Sequence, residues 1–86
     1  MTDQNAVSAF RAARADAVKR YAGADLETVC AAWVANQKFL DGARPGNYDP
    51  AALAVRDALK SEVERLGLIP SMIDLHIERH RPHLLA

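Results

Sequence analysis

Very little in this sequence can cross-link, stack or span. Cys30 is its one cysteine, so no internal disulfide can form, and a reducing compartment is expected. Aromatics are sparse: Phe10, Tyr21, Trp33, Phe39 and Tyr48 make up 6% of 86 residues. A core built without them must rely on alanine, valine and leucine, which bury less area per residue. Net charge is also missing, since eleven basic residues balance eleven acidic ones. That argues against a dedicated nucleic-acid binder, which usually carries a basic excess. No apolar run reaches the length of a membrane span, and the start "MTDQNAVSAF" lacks the basic and apolar regions of a signal peptide. A cytoplasmic protein without a membrane partner is the expectation. Strand-like alternation of apolar and polar residues is absent too, which leaves an all-α class.

What is present is half apolar and a quarter charged, the composition of one globular domain near the lower size for a self-sufficient core. Glycine and proline divide the chain into four helical segments, expected over about 3–21, 25–41, 50–66 and 71–81, in a small bundle with short turns. In the first, Val7, Phe10, Ala17, Val18 and Tyr21 recur at helical spacing, and Gly23 ends it. In the second, Asp25 is placed to cap a stripe of Leu26, Val29, Cys30, Trp33, Gln37 and Leu40 that stops at Gly42. The polar loop "GARPGNYD" follows. Asp49-Pro50 is the clearest helix start: an N-cap followed by proline at the first helical position, where a missing N–H costs nothing. Ala52, Val55, Leu59, Val63 and Leu66 then form one stripe, and Gly67 supplies a left-handed exit. Ser71 is expected to cap the fourth helix, with Asp74 three residues later, and Pro82 to end it.

Two residues stand outside these stripes. Arg14 falls on the apolar side of the first helix, and Phe39 on the side of the second opposite Trp33. Either they are a snorkelling arginine and an ordinary exposed aromatic, or they mark a second contact surface, since both types are favoured interface anchors. A thin alanine-rich core also tends to leave apolar surface for another subunit, so a homo-oligomer is expected.

The segment "RLGLIPSMIDLHIERHR" has the outline of a helix-turn-helix around Gly67, but Val63 and Glu62 occupy positions that such a motif gives to a small and an apolar residue. Its outward positions are Ile69, Pro70, Ser71, Asp74, Leu75 and Glu78. Base readout relies chiefly on Arg, Lys, Asn and Gln, which are missing there, and the two acids would be repelled by phosphates. A structural corner is the reading adopted. His76, His80 and His83 form H-x3-H-x2-H; two imidazoles four apart can hold zinc, but no third rigid ligand is placed beside them, so no metal or cofactor is expected. His76 and His80 are read instead as partly buried or interfacial. Ser8, Ser61 and Ser71 have no evident base and acid partners, and Cys30 lies on an apolar stripe as an inert thiol; the chain is not expected to be an enzyme.

The stretches "ADLETVCAAWVANQKFLDG", "NYDPAALAVRDALKSEVERLGL" and "LGLIPSMIDL" together follow a pattern of aromatic-bearing helix, loop, Pro-started helix and Leu-Gly-Leu turn. From Asp25 to about Leu75 this resembles the C-terminal part of one group of phage terminase small subunits. Those are helical oligomers that deliver viral DNA to a large packaging subunit. Asp49-Pro50 stands where that family has Asn-Pro, and Ile69 where it has threonine. The resemblance implies assembly rather than base reading, with a large packaging subunit as a possible partner. DNA contact would fall to Arg11, Arg14, Lys19 and Arg20, the four basic residues that outnumber the acidic Asp3 and Asp16 within residues 1–24. The leading expectation is thus an oligomeric packaging component with weak, sequence-indifferent DNA binding. The alternatives are a small helical adaptor or inhibitor of another protein, and a helix-turn-helix regulator.

Overall fold

The computed structural model describes residues 4–43 and 48–86. It is all-α: α1 spans Gln4–Tyr21, α2 Leu26–Asp41, α3 Pro50–Arg65 and α4 Ile73–His80. Single 3-10 turns cover Pro70–Met72 and Pro82–Leu85, and no strand occurs among the described residues. Asp3, the expected start of α1, and residues 44–47 of the loop between α2 and α3 lie outside the described residues.

Local chemistry explains most of the boundaries. Asp25 accepts a hydrogen bond from the Thr28 N–H over 2.8 Å, and Asp49 one from the Ala51 N–H over 2.9 Å, each satisfying a first-turn donor. Gly67 exits α3 at φ +84°, where a side chain would be strained. The Leu68 N–H reaches the Val63 carbonyl and the Gly67 N–H reaches that of Glu64, both over 3.0 Å. These are the paired bonds of a Schellman ending. Gly42 behaves differently: it closes α2 at φ −80°, in right-handed geometry that does not require glycine.

The start of α4 departs from the expectation. Ser71 does not cap it. Pro70 instead opens a 3-10 turn, closed by the Met72 N–H on the Ile69 carbonyl at 2.8 Å, and α4 proper begins at Ile73 without a side-chain cap. The reason lies in Asp74, whose carboxylate is turned to α2, where it accepts from the Trp33 indole N–H over 3.0 Å. The helix ends at His80, just before the Arg81-Pro82 pair, as proline's missing donor requires.

Val29, Cys30 and Trp33 of α2 meet Leu59 and Val63 of α3 and Ile73 and Ile77 of α4 in one buried cluster. α1 lies to the side, packed on α3. Of its expected stripe, Ala17 is buried and Val7, Phe10 and Tyr21 are half-buried, while Val18, 42% exposed, is the departure. Ala54 and Ala58 of α3 are buried as well. Small side chains on α1 and α3 let backbones approach but remove little apolar area from water. A knot of polar bonds fixes the α1–α2 corner: Arg65 donates to the Ala24 carbonyl at 2.6 Å and to Glu62 at 2.8 Å, and Glu62 also accepts from the Gly23 N–H at 3.2 Å. The result is an elongated body of 43 × 28 × 18 Å. Its radius of gyration is 13.3 Å, against about 12 Å expected for this length. A body this thin leaves helix faces uncovered.

Candidate interaction surface

An uncovered apolar feature lies on the outer side of α4 and the turn before it. Ile73 and Ile77 point into the core, so the residues beside them on the helix turn outward. Ile69 is 64% exposed, and Met72 and Leu75 are exposed beside it. With His76, Arg79 and His80 they line a groove of about 360 Å³ whose wall contains no carboxylate. The His76 and His80 rings stand 5.0 Å apart, tilted by 42°. Nε2 of His76 is buried without a hydrogen-bond partner, and Arg79 has no ion pair among the described residues. The groove therefore offers apolar area beside a guanidinium that forms no ion pair among the described residues.

Phe39 is the other prominent exposed apolar group. It is 73% exposed near the C-terminal end of α2, and Ala35 one turn earlier is exposed with it. This is the position that the sequence singled out, although Phe39 is not part of the α4 groove.

The four basic residues expected to meet phosphates are differently employed. Arg14 pairs with Asp57 of α3 over 2.6 Å, with the two side chains 45% and 50% exposed, so it bridges two helices of its own chain. Arg20 pairs with Asp16 one turn earlier over 3.0 Å. Arg11 and Lys19 have no ion pair among the described residues. The structure thus divides the set of four into two internally held cations and two without a partner. On the helix-turn-helix positions, Asp74 is bonded to Trp33, while Ser71, Leu75 and Glu78 are exposed.

The third histidine is drawn elsewhere. Nε2 of His83 lies 2.6 Å from Oε1 of Glu27, and Arg81 contacts the other oxygen of the same carboxylate. Glu27 therefore fastens the C-terminal turn to the first turn of α2, with Leu84 packed against the core. The His83 hydrogen bond, and after it the Arg81 contact, hold the Glu27 carboxyl below its ordinary value of 4.5, against a desolvation effect that raises it. No group of three or more His, Cys, Asp or Glu side chains among the described residues is arranged to hold a metal ion. Cys30 is fully buried, and burial pushes its thiol pKa up, which disfavours the thiolate.

The sequence singles out Phe39, which is exposed, and the histidine pair, which lies on the groove, whereas Arg14 is engaged by Asp57 of its own chain; the groove, the Trp33–Asp74 bond and the Glu27 anchor are not legible in it. Of the groove, the sequence holds only the spacing: Ile69, Met72, Leu75 and Arg79 are three or four apart, beside the Ile73–Ile77 pair that faces inward. The Glu27 anchor joins residues more than fifty positions apart, and no local pattern encodes it.

Comparison with protein-family models, with curated proteins and with solved structures gives no significant match to this chain. No helix among the described residues is long and apolar enough to cross a membrane.

Proposed function

We propose that this chain is a non-enzymatic, self-associating helical component of a larger assembly, of the terminase-small-subunit kind that its sequence resembles, touching DNA only weakly and through phosphates. The observation that carries this reading is the outer face of α4, where Ile69, Met72 and Leu75 remain exposed side by side. A patch of this kind, rimmed by Arg79 and two imidazoles, has the composition of an interface centre, where aromatic residues, Met and Arg are enriched. DNA contact is the weaker part, because Arg14 and Arg20 are already held by Asp57 and Asp16.

That division of the basic residues also favours a second reading, in which the same face binds a different protein and DNA plays no role. Light scattering on the chain alone, followed by titration with duplex DNA at low salt, separates the two. Assembly without DNA, followed by salt-sensitive binding, supports the packaging component. A monomer that ignores DNA leaves the adaptor.

A further inference from the structure

We propose that the C-terminal turn, Pro82–Leu85, is a strap that opens as a unit while the four helices stay folded, uncovering the side of α2 that carries Glu27, Cys30 and Val34. The strap needs no second copy and stands apart from the self-association reading. Those three residues recur at helical spacing along α2, and the turn crosses them in order. His83 and Arg81 meet the Glu27 carboxylate at one end. Leu84 packs against the cluster to which Cys30 belongs. Leu85 shares a depression with Val34 at the other end. Cys30, in the middle, is fully buried. Burial is the first influence on its thiol, and the opposed charges of Arg81 and Glu27 come next, so both partners of that ion pair lie close to the sulfur.

The strap is held by little. Arg81 leaves helical geometry at φ −138° and ψ 47°, and Pro82 has no N–H with which to continue α4. The Leu84 N–H bonds back to the Arg81 carbonyl at 3.0 Å, inside the turn, and among the described residues no backbone hydrogen bond joins the turn to α2. Pro82, His83, Leu85 and Ala86 are exposed. One half-buried leucine and one carboxylate therefore carry the closure, and an exposed contact such as that of His83 adds little. Closure also leaves Nε of Arg81 buried with no acceptor among the described residues, a donor that opening returns to water. Segments with few buried apolar contacts open locally, at a lower cost than global unfolding. The helix before the strap does not depend on it: α4 keeps its own hold on α2 through the Trp33–Asp74 bond and the buried Ile73 and Ile77.

Cys30 is the probe of the open state and not itself a proposed site. An aromatic disulfide exchanges with an accessible thiolate, which displaces one light-absorbing arylthiolate. On the full chain in rising urea, the exchange rate should stay nearly flat at first. It should turn steep only near the global transition seen by circular dichroism, because a local opening exposes little surface. Leu84→Ala should raise the flat rate about tenfold, as for withdrawing less leucine from water. His83→Ala should raise it about two- to fivefold, the range of an exposed pair. Asp57→Ala, at the contact with α1, should not change it. Glu27 and Arg81 stay in place, since their charges act on the thiol itself. His83→Ala alters an exposed side chain and carries the test if Leu84→Ala unfolds. No exchange below the global transition, or a rate that climbs as steeply as global unfolding from the first addition of urea, would overturn the strap. So would a flat rate that neither variant raises, or a rise that Asp57→Ala equals.

Discussion

The indole N–H of Trp33 donates to the carboxylate of Asp74 over 3.0 Å, joining α2 to the first turn of α4 across forty-one residues of sequence. Trp33 is otherwise buried among Val29, Leu59, Val63 and the two isoleucines of α4. This one bond explains why α4 starts as it does: the acid that could have served a capping box is used to satisfy a buried donor instead.

Removing the ring should therefore be far more damaging than removing the bond. Trp33→Ala is expected to cost about 3–5 kcal/mol, as for other large-to-small changes in a core. Asp74→Ala leaves the indole N–H without its acceptor in a part-buried site and should cost about 1 kcal/mol. Chemical denaturation of the two variants checks the ranking. An Asp74→Ala variant as unstable as Trp33→Ala would mean that the bond, and not the packing, holds α4 in place.

The Arg14–Asp57 pair should contribute little, despite its short distance. Both partners are about half exposed, and exposed pairs are worth about 0.2–1 kcal/mol and weaken with salt. A double-mutant cycle with Arg14→Ala and Asp57→Ala should give a coupling within that range at low salt, falling as salt is added. A coupling well above it, insensitive to salt, would show that α1 is held on α3 mainly by this pair.

Glu27 gives the C-terminal turn a dependence on acid. Its carboxyl is held below 4.5 in the folded chain, so the stabilisation is complete above the unfolded value and is lost as pH falls through the lower, folded one. Thermal melts of the unaltered protein and of Glu27→Gln should differ most near neutral pH and converge on acidification below about 4.5. A difference that widened as pH fell would reverse the assigned sign.

Binding of duplex DNA, if carried by α1, should rest first on Arg11 and Lys19, because Arg14 and Arg20 must give up exposed ion pairs to reach a phosphate. Each phosphate neutralised contributes about 0.9 to the log–log salt slope, so two cations predict a slope of about 2 per chain. Arg11→Glu with Lys19→Glu should abolish the binding, whereas Ser71→Ala should leave it unchanged. A markedly steeper slope, or loss on changing Ser71, would return the α3–α4 corner to a role in reading DNA.

The helices were legible because their punctuation is local. Asp25, Asp49-Pro50 and Gly67 act on their own neighbours, and each behaves in the structure as its residue type dictates. The buried cluster of Val29, Cys30, Trp33, Leu59 and Val63 follows from two regular stripes. Where the reading failed, a partner distant in sequence had taken over. Trp33 drew Asp74 away from capping, and Glu27 drew His83 and Arg81 away from the other histidines. Val18 lies on the apolar side of α1, but the buried position of α1 is Ala17, and a contact built on so small a side chain does not extend around the helix to cover Val18. Ile69, Met72 and Leu75 show as an apolar set only once Ile73 and Ile77 occupy the core, because which face of a short helix is buried depends on partners distant in sequence.

The central claim, self-association through the outer face of α4, is tested most directly by sedimentation velocity over a range of micromolar concentrations, comparing the unaltered protein with Leu75→Glu. The unaltered chain should sediment as a multiple of 9.4 kDa, and Leu75→Glu should sediment as one chain with its helix content unchanged. A single-chain mass for the unaltered protein at every concentration, or an assembly that Leu75→Glu does not weaken, would contradict the account.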